Sequence, residues 1–231
     1  MDMKKKTADY EFFEAIRNSD FAKVKRMAEI EPLLINKPAS KKPSDTRFMS
    51  PLQAALCTGY HKEIAWFLLE SGADVNYRAE KKLCSDAYPV LFDAVNAAVW
   101  NARRFAWDGV EAPTLNMVWK HTKEESDAAF ALLKRMIELG ADVNKTDYYN
   151  RNSLMEAVAE ANKLCPIKNN ETGEYYPGRT MTDEMREDFR RIFILLIDSG
   201  ADRENTSSYS KQSRRQHYEG EFIWQVCGDL F

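Results

Sequence analysis

Residues 173–180 have the outline of a phosphate-binding loop. They read GEYYPGRT, with Arg179 where such loops carry the lysine that contacts the β- and γ-phosphates. A phosphate loop also needs a buried strand before it and a helix directly after it. The preceding stretch, 163–172, is polar and does not read as an apolar strand. We therefore interpret the segment as a turn-rich loop and predict no nucleotide or other cofactor.

The histidines and cysteines offer little for metal or nucleophilic chemistry. Cys57 and His61 are four residues apart, but Gly59 stands between them and no third ligand completes a metal site. The other histidines, His121 and His217, belong to no metal-binding helix motif and to no serine, histidine and aspartate constellation. The sequence therefore predicts no catalytic residue and no metal, and we expect that the protein is not an enzyme.

Composition and charge argue against several other classes of function. The 231 residues carry a net charge of −3, and we interpret the short basic group of Lys211, Arg214 and Arg215 as the solvated start of a helix. No apolar run reaches the roughly 20 residues that cross a bilayer, and no apolar region follows the charged N-terminus as in a secretion signal. The four cysteines are expected to be free thiols. We expect a cytoplasmic protein that binds neither nucleic acid nor membrane.

A recurring phrase indicates which elements must position any functional side chain. Gly-Ala-Asp-Val-Asn occurs at residues 72–76 and 140–144, and Gly-Ala-Asp returns at 200–202. Each glycine follows an amphipathic run, at the point where a helix ends and a residue with positive φ is favoured. The phrase therefore predicts a helix that ends in a tight turn, three times along the chain.

A second pattern precedes each phrase. It consists of a large apolar residue, two variable residues, an alanine and an aliphatic residue, with the alanine at Ala55, Ala94 and Ala157. A weaker copy surrounds Ala15. A small side chain at this position lets one helix approach the next closely, and the aliphatic residues around it face the neighbouring helices. These alanines are therefore predicted to be buried.

Together these residues resemble the ankyrin repeat. Residues 50–55, followed by Gly59 and the phrase at 72–76, are similar to the repeat of that family, with Ser50 and Gln53 in place of its usual threonine and histidine. The resemblance implies an all-α helical repeat solenoid of about four repeats. The predicted units span residues 7–45, 46–85, 86–148 and 149–208, and the tail, 209–231, is expected to cap the stack.

Units three and four carry long insertions. The length compared is that from the leucine that begins the second pattern (Leu52, Leu91 or Leu154) to the glycine that ends the helix. In units three and four this length exceeds that of unit two by about 29 and 26 residues. In unit three a helix is predicted to run from Val90 to Trp107, and a capping box at Thr122 is predicted to start the next helix. In unit four the helices are predicted to end near Leu164 and to restart at Thr182. Because stacked repeats place equivalent positions side by side, we expect the two insertion loops to be neighbours.

Two surfaces are candidates for binding a partner. The first is the set of loops that follow the Gly-Ala-Asp phrases, which we call the fingers; the resemblance implies that partners bind there and on the concave helix face. We predict that the partner binds on this face rather than at the insertions, through the finger residues Tyr77, Arg78, Tyr148, Tyr149 and Arg151. Tyrosine and arginine are favoured at binding hot spots. The alternative interpretation is a solvated polar edge.

The second candidate surface is formed by the aromatic residues of the two insertions. These are Trp107, Trp119, Tyr175 and Tyr176. Exposed tryptophan and tyrosine are typical interface anchors. The alternative is that the tryptophans fill an extra core between the lengthened helices.

The resemblance implies a protein–protein interaction module. We expect a monomer that acts as an adaptor or inhibitor of a protein partner, and a sharper hypothesis is a bacterial immunity or antagonist protein that caps a toxin or enzyme. The alternative hypothesis is an enzyme or a nucleotide-binding protein with its site in the insertion loops of units three and four.

Overall fold

The fold is mostly helical. A computed structural model describes residues 7–40, 44–107, 117–169, 171–176 and 179–231. The α-helices are α1 (Ala8–Arg17), α2 (Phe21–Ile30), α3 (Pro51–Cys57), α4 (Lys62–Glu70), α5 (Val90–Trp100), α6 (Lys123–Glu138), α7 (Ser153–Leu164), α8 (Asp183–Asp198), α9 (Arg214–Tyr218) and α10 (Trp224–Cys227). Short 3₁₀ turns lie at Pro32–Asn36, Ser44–Thr46 and Gly228–Leu230.

The first eight helices form two layers. Helices α1, α3, α5 and α7 contact one another in order and make an inner layer, while α2, α4, α6 and α8 make an outer layer. Each inner helix also packs against the outer helix that follows it. Ala55, Ala94 and Ala157 lie on the inner helices and are fully buried, which confirms the prediction made from their spacing. Their small side chains allow the close approach of neighbouring inner helices.

The glycines of the recurring phrase end the outer helices as predicted. Gly72, Gly140 and Gly200 follow α4, α6 and α8 with φ of +85°, +92° and +88°. A Cβ atom at any of these positions would meet nothing within 4 Å. The requirement for glycine is therefore one of backbone conformation, because the left-handed region is costly for other residues.

Asparagine side chains link each phrase to the next one along the chain. In each link, which we call an asparagine clamp, the side-chain amide donates to the glycine carbonyl of the next phrase, and its oxygen accepts from the backbone N–H of the aspartate there. The clamps join Asn36 to Gly72 and Asp74, Asn76 to Gly140 and Asp142, and Asn144 to Gly200 and Asp202, at 2.7–2.9 Å. Glu204 occupies the equivalent position after Gly200. The recurring asparagine therefore holds neighbouring phrases in register.

The first insertion departs from the predicted helix. Helix α5 ends at Trp100, and Phe105–Trp107 is a strand, so the prediction of a helix from Val90 to Trp107 is wrong beyond Trp100. The physical reason lies in the backbone at Arg103, whose N–H donates to the Asp188 carboxylate at 2.8 Å. That bond takes the donor that a continuing helix would need.

The two insertions meet in a small sheet. Strand β1 (Phe105–Trp107) pairs antiparallel with β2 (Met117–Trp119) of the same insertion and with β3 (Arg179–Thr180) of the next one. The expectation that the insertions are neighbours is therefore confirmed. The all-α prediction holds for the layered helices and omits this sheet, because strand pairing across roughly 75 residues leaves no local pattern in so short a segment.

Both long outer helices begin where their capping residues predict. The Thr122 hydroxyl accepts from the N–H of Glu125, and the Glu125 carboxylate accepts from the N–H of Thr122. Helix α6 starts at Lys123, directly after this cap. The Thr182 hydroxyl accepts from the N–H of Met185 and starts α8. These bonds satisfy N–H groups that the first turn of a helix leaves without partners.

The tail packs on the last outer helix. Ile223, Val226 and Cys227 are fully buried, and α10 contacts α8. The guanidinium of Arg190 on α8 donates to the Val226 carbonyl at 2.7 Å and to Asp229 at 2.6 and 2.8 Å. Apolar residues of the tail thus cover part of α8.

Candidate interaction surfaces

Asp188 fixes the base of the insertion sheet. This carboxylate is 1% exposed and accepts from the backbone N–H and the guanidinium of Arg103, at 2.8–3.0 Å, and from the Ser126 hydroxyl at 2.8 Å. The guanidinium of Arg191 lies 3.0 Å away. Burial by itself would raise the pKa of Asp188, but the bonds from Arg103 and Ser126 and the charge of Arg191 outweigh burial and lower it. The ionised carboxylate therefore joins the end of α5 to α6 and α8.

The sheet carries aromatic side chains on one face. Phe105 of β1 lies opposite both Trp119 of β2 and Thr180 of β3, so the three side chains share a face. The rings of Phe105 and Trp119 are 5.6 Å apart. Trp119 is 52% exposed. The backbone of Trp107 belongs to β1, but its side chain lies outside the described residues, so its predicted role stays a prediction.

The loop before β3 exposes two further rings. Tyr175 and Tyr176 are 47% and 52% exposed. The Tyr175 ring meets Phe222 of the tail edge-on at 5.5 Å, and the N–H of Tyr176 donates to the Ile167 carbonyl at 2.9 Å. Trp119, Tyr175, Tyr176 and Ile167, with Trp100 at the end of α5, form what we call the insertion edge. The rings of Trp119 and Tyr175 contact Phe105 and Phe222, respectively, and about half of the surface of each residue is open to solvent.

The finger tyrosines are used within the molecule. The Tyr77 hydroxyl donates to the Phe48 carbonyl at 2.6 Å, and the Tyr148 hydroxyl donates to the Ala79 carbonyl at 2.9 Å. The guanidinium of Arg78 stacks over the Tyr148 ring at 4.5 Å and donates to the backbone carbonyl of Thr146, in the finger of Tyr148. These half-buried side chains connect one finger to the next.

The remaining finger candidates are also engaged. The Tyr149 hydroxyl donates to Asp86 at 2.8 Å, and its ring lies 4.9 Å from that of Tyr209. Arg151 bonds Asp147 at 2.7 Å and Glu156 at 3.0 Å. Tyr209, in contrast, is 78% exposed. The fingers therefore offer fewer open anchors than their sequence predicts.

Two carboxylates are buried on neighbouring inner helices. Asp93 of α5 is 4% exposed and accepts from Gln53 and Tyr88, each at 3.1 Å, while Glu156 of α7 is 6% exposed and accepts from Asn96 at 3.2 Å. Burial raises the pKa of Asp93 to about 7; the bonds from Gln53 and Tyr88 oppose the rise, and the charge of Glu156 adds to it. Burial also raises the pKa of Glu156, against the charge of Arg151.

The sequence analysis missed this pair, although a signal was present. Asp93 and Glu156 stand directly before the buried Ala94 and Ala157, at the position that Ala54 occupies in α3. A carboxylate at the position that a buried alanine occupies in the preceding inner helix is a signal of burial, and burying a carboxylate is costly.

The basic group in the tail is not the solvated helix start that the sequence predicts. Arg214 is only 4% exposed. Its Nη2 group donates to the Asn152 side chain at 3.2 Å and to the Asp202 carbonyl at 3.1 Å. The guanidinium lies 5.3 Å from the Phe231 ring. Arg215, the next residue, has a side chain that is 72% exposed and pairs with Glu219, so the interpretation holds for Arg215 alone of the two.

The motifs weighed for catalysis or ligand binding do not assemble into a site. Pro177 and Gly178 of the phosphate-loop outline lie outside the described residues; Gly173 is in a turn, and α8 begins three residues after Thr180. Cys57 is exposed as a residue, but desolvation of its thiol raises the pKa to about 12, which disfavours the reactive thiolate. Within the described ranges, no group of three or more His, Cys, Asp and Glu residues is placed to hold a metal ion.

The junction of the insertions contains a cavity of about 380 Å³. Arg103, Trp119, His121, Lys123 and Glu184 are among its lining residues. Arg103 pairs with Asp188 and Lys123 pairs with Asp127 at 2.6 Å. Their charges are thus already neutralised, which weakens the hypothesis of a nucleotide site in the insertion loops.

One comparison with known proteins identifies a repeat. Residues 48–80 match the family model described as the ankyrin repeat. That range contains α3, α4 and the phrase at 72–76. No curated protein matches the chain. In the part of the chain that the structure describes, no helix is long and apolar enough to span a bilayer.

Proposed function

The chain contains an ankyrin repeat, and on that premise we propose that it binds a protein partner through the insertion edge. Ankyrin repeats are general protein–protein interaction modules. The single observation that carries the choice of surface is the exposure of Trp119, Tyr175 and Tyr176, each close to half open to solvent. Large rings that are partly fixed and partly open are the side chains that dominate binding energy.

The contrast with the fingers supports this surface. The polar groups of Tyr77, Arg78 and Tyr148 already donate hydrogen bonds to backbone carbonyls of neighbouring fingers. A partner that recruited them would have to break those bonds, and their loss would be subtracted from the binding free energy. Among the described residues, the side chains of Trp119, Tyr175 and Tyr176 have no such hydrogen bond to lose, whereas the Trp100 indole N–H donates to Glu160 at 3.1 Å.

The anchoring of the insertion edge also supports binding. Strands from both insertions pair with one another, and Asp188 ties Arg103 at the sheet to the two long outer helices. A surface that is already ordered loses little conformational entropy when a partner binds. This favours recognition by preformed shape over folding on contact.

The same proposal includes the organisation of the repeats. We propose four units, at about 7–45, 46–85, 86–148 and 149–208, and a cap at 209–231. The three asparagine clamps support this count, since two of them join one phrase to the next and the first joins Asn36 of unit one to the phrase of unit two. The apolar packing of α10 on α8 supports the role of the tail as a cap.

A finer version of the proposal is that the protein acts as an adaptor or inhibitor, including an immunity or antagonist protein. An inhibitor would reduce the activity of its partner in proportion to the bound fraction, whereas an adaptor would leave that activity unchanged. Titrating a purified partner with this protein separates the two.

The test begins with a partner found by proximity labelling in the native host and confirmed with purified proteins. The double variant Trp119→Ala with Tyr176→Ala should weaken binding at least tenfold, because two hot-spot rings are removed. Tyr209→Ala is the matched control, since it removes an exposed tyrosine from a finger. If binding survives the double variant and fails in the control, the fingers are the binding surface and the proposal is wrong.

A further inference from the structure

A second cavity lies between the inner helix α7 and the tail. It has a volume of about 270 Å³. Its walls include Arg151 before α7, Met155 and Ala159 on α7, and Arg214 and Tyr218 of α9. Cationic and apolar side chains therefore share the lining, and the volume suits a ligand of small-molecule size.

The charge of this cavity is one-sided. Arg151 and Arg214 line it, and none of the described lining residues is an aspartate or glutamate. Burial raises the pKa of the Tyr218 hydroxyl, and the charges of Arg214 and Arg151 oppose that rise. Arg151 is already paired with Asp147 and Glu156, whereas the printed bonds of Arg214 go to no carboxylate, so Arg214 is the cation on which an anion could act.

Arg214 is the residue that most requires a counter-charge. Only 4% of its surface is exposed to solvent. Its Nε and Nη1 groups have no hydrogen-bond partner among the described residues. Its remaining bonds go to a neutral amide and a backbone carbonyl. Burial lowers the pKa of Arg214 to about 10, even though Asp202 and Glu204 lie near enough to oppose the change. A buried cation with unpaired donors is costly unless an anion compensates it.

We propose that this cavity binds a small organic anion, with an oxyanion group (carboxylate or phosphate) paired to Arg214 and an apolar body against Met155 and Ala159. Planar guanidinium groups favour such oxyanions because they offer paired N–H donors. The site goes beyond the partner proposed above, and its occupation does not depend on the insertion edge.

The probes are benzoate, phenyl phosphate and neutral benzamide, at matched ionic strength, with the whole chain. A ligand specific for the folded state raises the thermal midpoint in proportion to its saturation. Benzoate or phenyl phosphate is expected to raise the midpoint, and benzamide, which has the shape of benzoate without the charge, is not. Equal effects of benzoate and benzamide, or no effect of either anion, would overturn the proposal.

Two arginine variants locate the binding. Arg214→Met is expected to weaken anion affinity at least tenfold in calorimetry, whereas Arg215→Met, which changes an exposed arginine on the same helix, is expected to leave it unchanged. If Arg214→Met does not fold, hydrogen exchange of the natural chain serves instead, with anion-dependent protection expected at residues 207–218. Loss of affinity in both variants alike, or protection elsewhere only, would show that the anions bind at another place.

Discussion

The carboxylate of Asp188 holds Arg103 by its backbone and its side chain together, at 2.8 Å from the N–H and at 3.0 and 2.9 Å from Nε and Nη2. The N–H of Ala102 bonds to the Val99 carbonyl where α5 ends, and the N–H of Arg103, which a continuing helix would bond to that same carbonyl, is taken by this residue of α8. The same contact aims the following residues into β1 and so sets the position of the insertion edge.

Asp188→Asn is expected to destabilise the fold strongly. It would leave Arg103 and Arg191 without their shared counter-charge, and removing one partner of a buried ion pair costs on the order of 3–5 kcal/mol. Urea unfolding measures the change. Asp127→Asn is the control, because that carboxylate also bonds Arg191 but is 43% exposed, so its loss should cost less than about 1 kcal/mol. Equal costs for the two variants would contradict the role of Asp188.

Asp93 is expected to make stability depend on pH near neutrality. Its pKa is raised to about 7 in the folded chain, so between about pH 4 and pH 7 the folded state binds more protons than the unfolded state. The free energy of unfolding should therefore fall as pH rises through this window and level off above it.

Asp93→Asn removes this contribution. Relative to the natural chain, the variant should gain stability from pH 5 to pH 8, by on the order of 2 kcal/mol, as measured by urea unfolding at both values. Asp198→Asn, at the exposed end of α8, should show no such change. A constant difference between the Asp93 variant and the natural chain would mean that this carboxyl is ionised throughout the range.

Tyr148→Ala is expected to lower the thermal midpoint. The change removes a half-buried ring, its bond to the Ala79 carbonyl and its stacking with Arg78, with an expected cost of roughly 1–3 kcal/mol. Tyr209→Ala, which truncates a 78% exposed ring, should cost less than about half that amount. If Tyr148→Ala proves neutral, this tyrosine is free for a partner, as its place in a finger first indicated.

Ala94→Leu tests the packing of the inner layer. Ala94 is fully buried between inner helices, and extra methyl groups there would force the helices apart at a cost of about 1–3 kcal/mol. Ala22→Leu, on the exposed side of α2, controls for the leucine itself. A thermal midpoint equal to that of the control would show that the inner layer has room to spare.

The local features of the fold could be predicted from the sequence. The caps at Thr122 and Thr182, the glycine turns and the buried alanines depend on residues within one or two helical turns of each other. The resemblance to the ankyrin repeat supplied the mostly helical class of the fold. The neighbouring position of the insertions followed from the stacking of the repeats.

The features that failed are those decided by distant residues. Residues 101–107 have helix-forming neighbours, yet Asp188, 85 residues from Arg103, ends the helix. Arg214 reads as a surface residue until the tail folds over Asn152. The finger tyrosines have the composition of an interface, but partners 29 and 69 residues away already hold Tyr77 and Tyr148. No local pattern carries that information.

The asparagine clamps give the row of phrases a direction. Each clamp reaches forward, from Asn36 or from the asparagine of a phrase, to the glycine and aspartate of the following phrase, so a unit duplicated in the middle of the chain would bring both halves of the connection with it. The last phrase breaks the rule, because Glu204 stands where the next asparagine would be, and an ionised carboxylate cannot donate to a carbonyl. Units can therefore be added inside the row without loss of a clamp, whereas Glu204 prevents a further clamp after the last phrase.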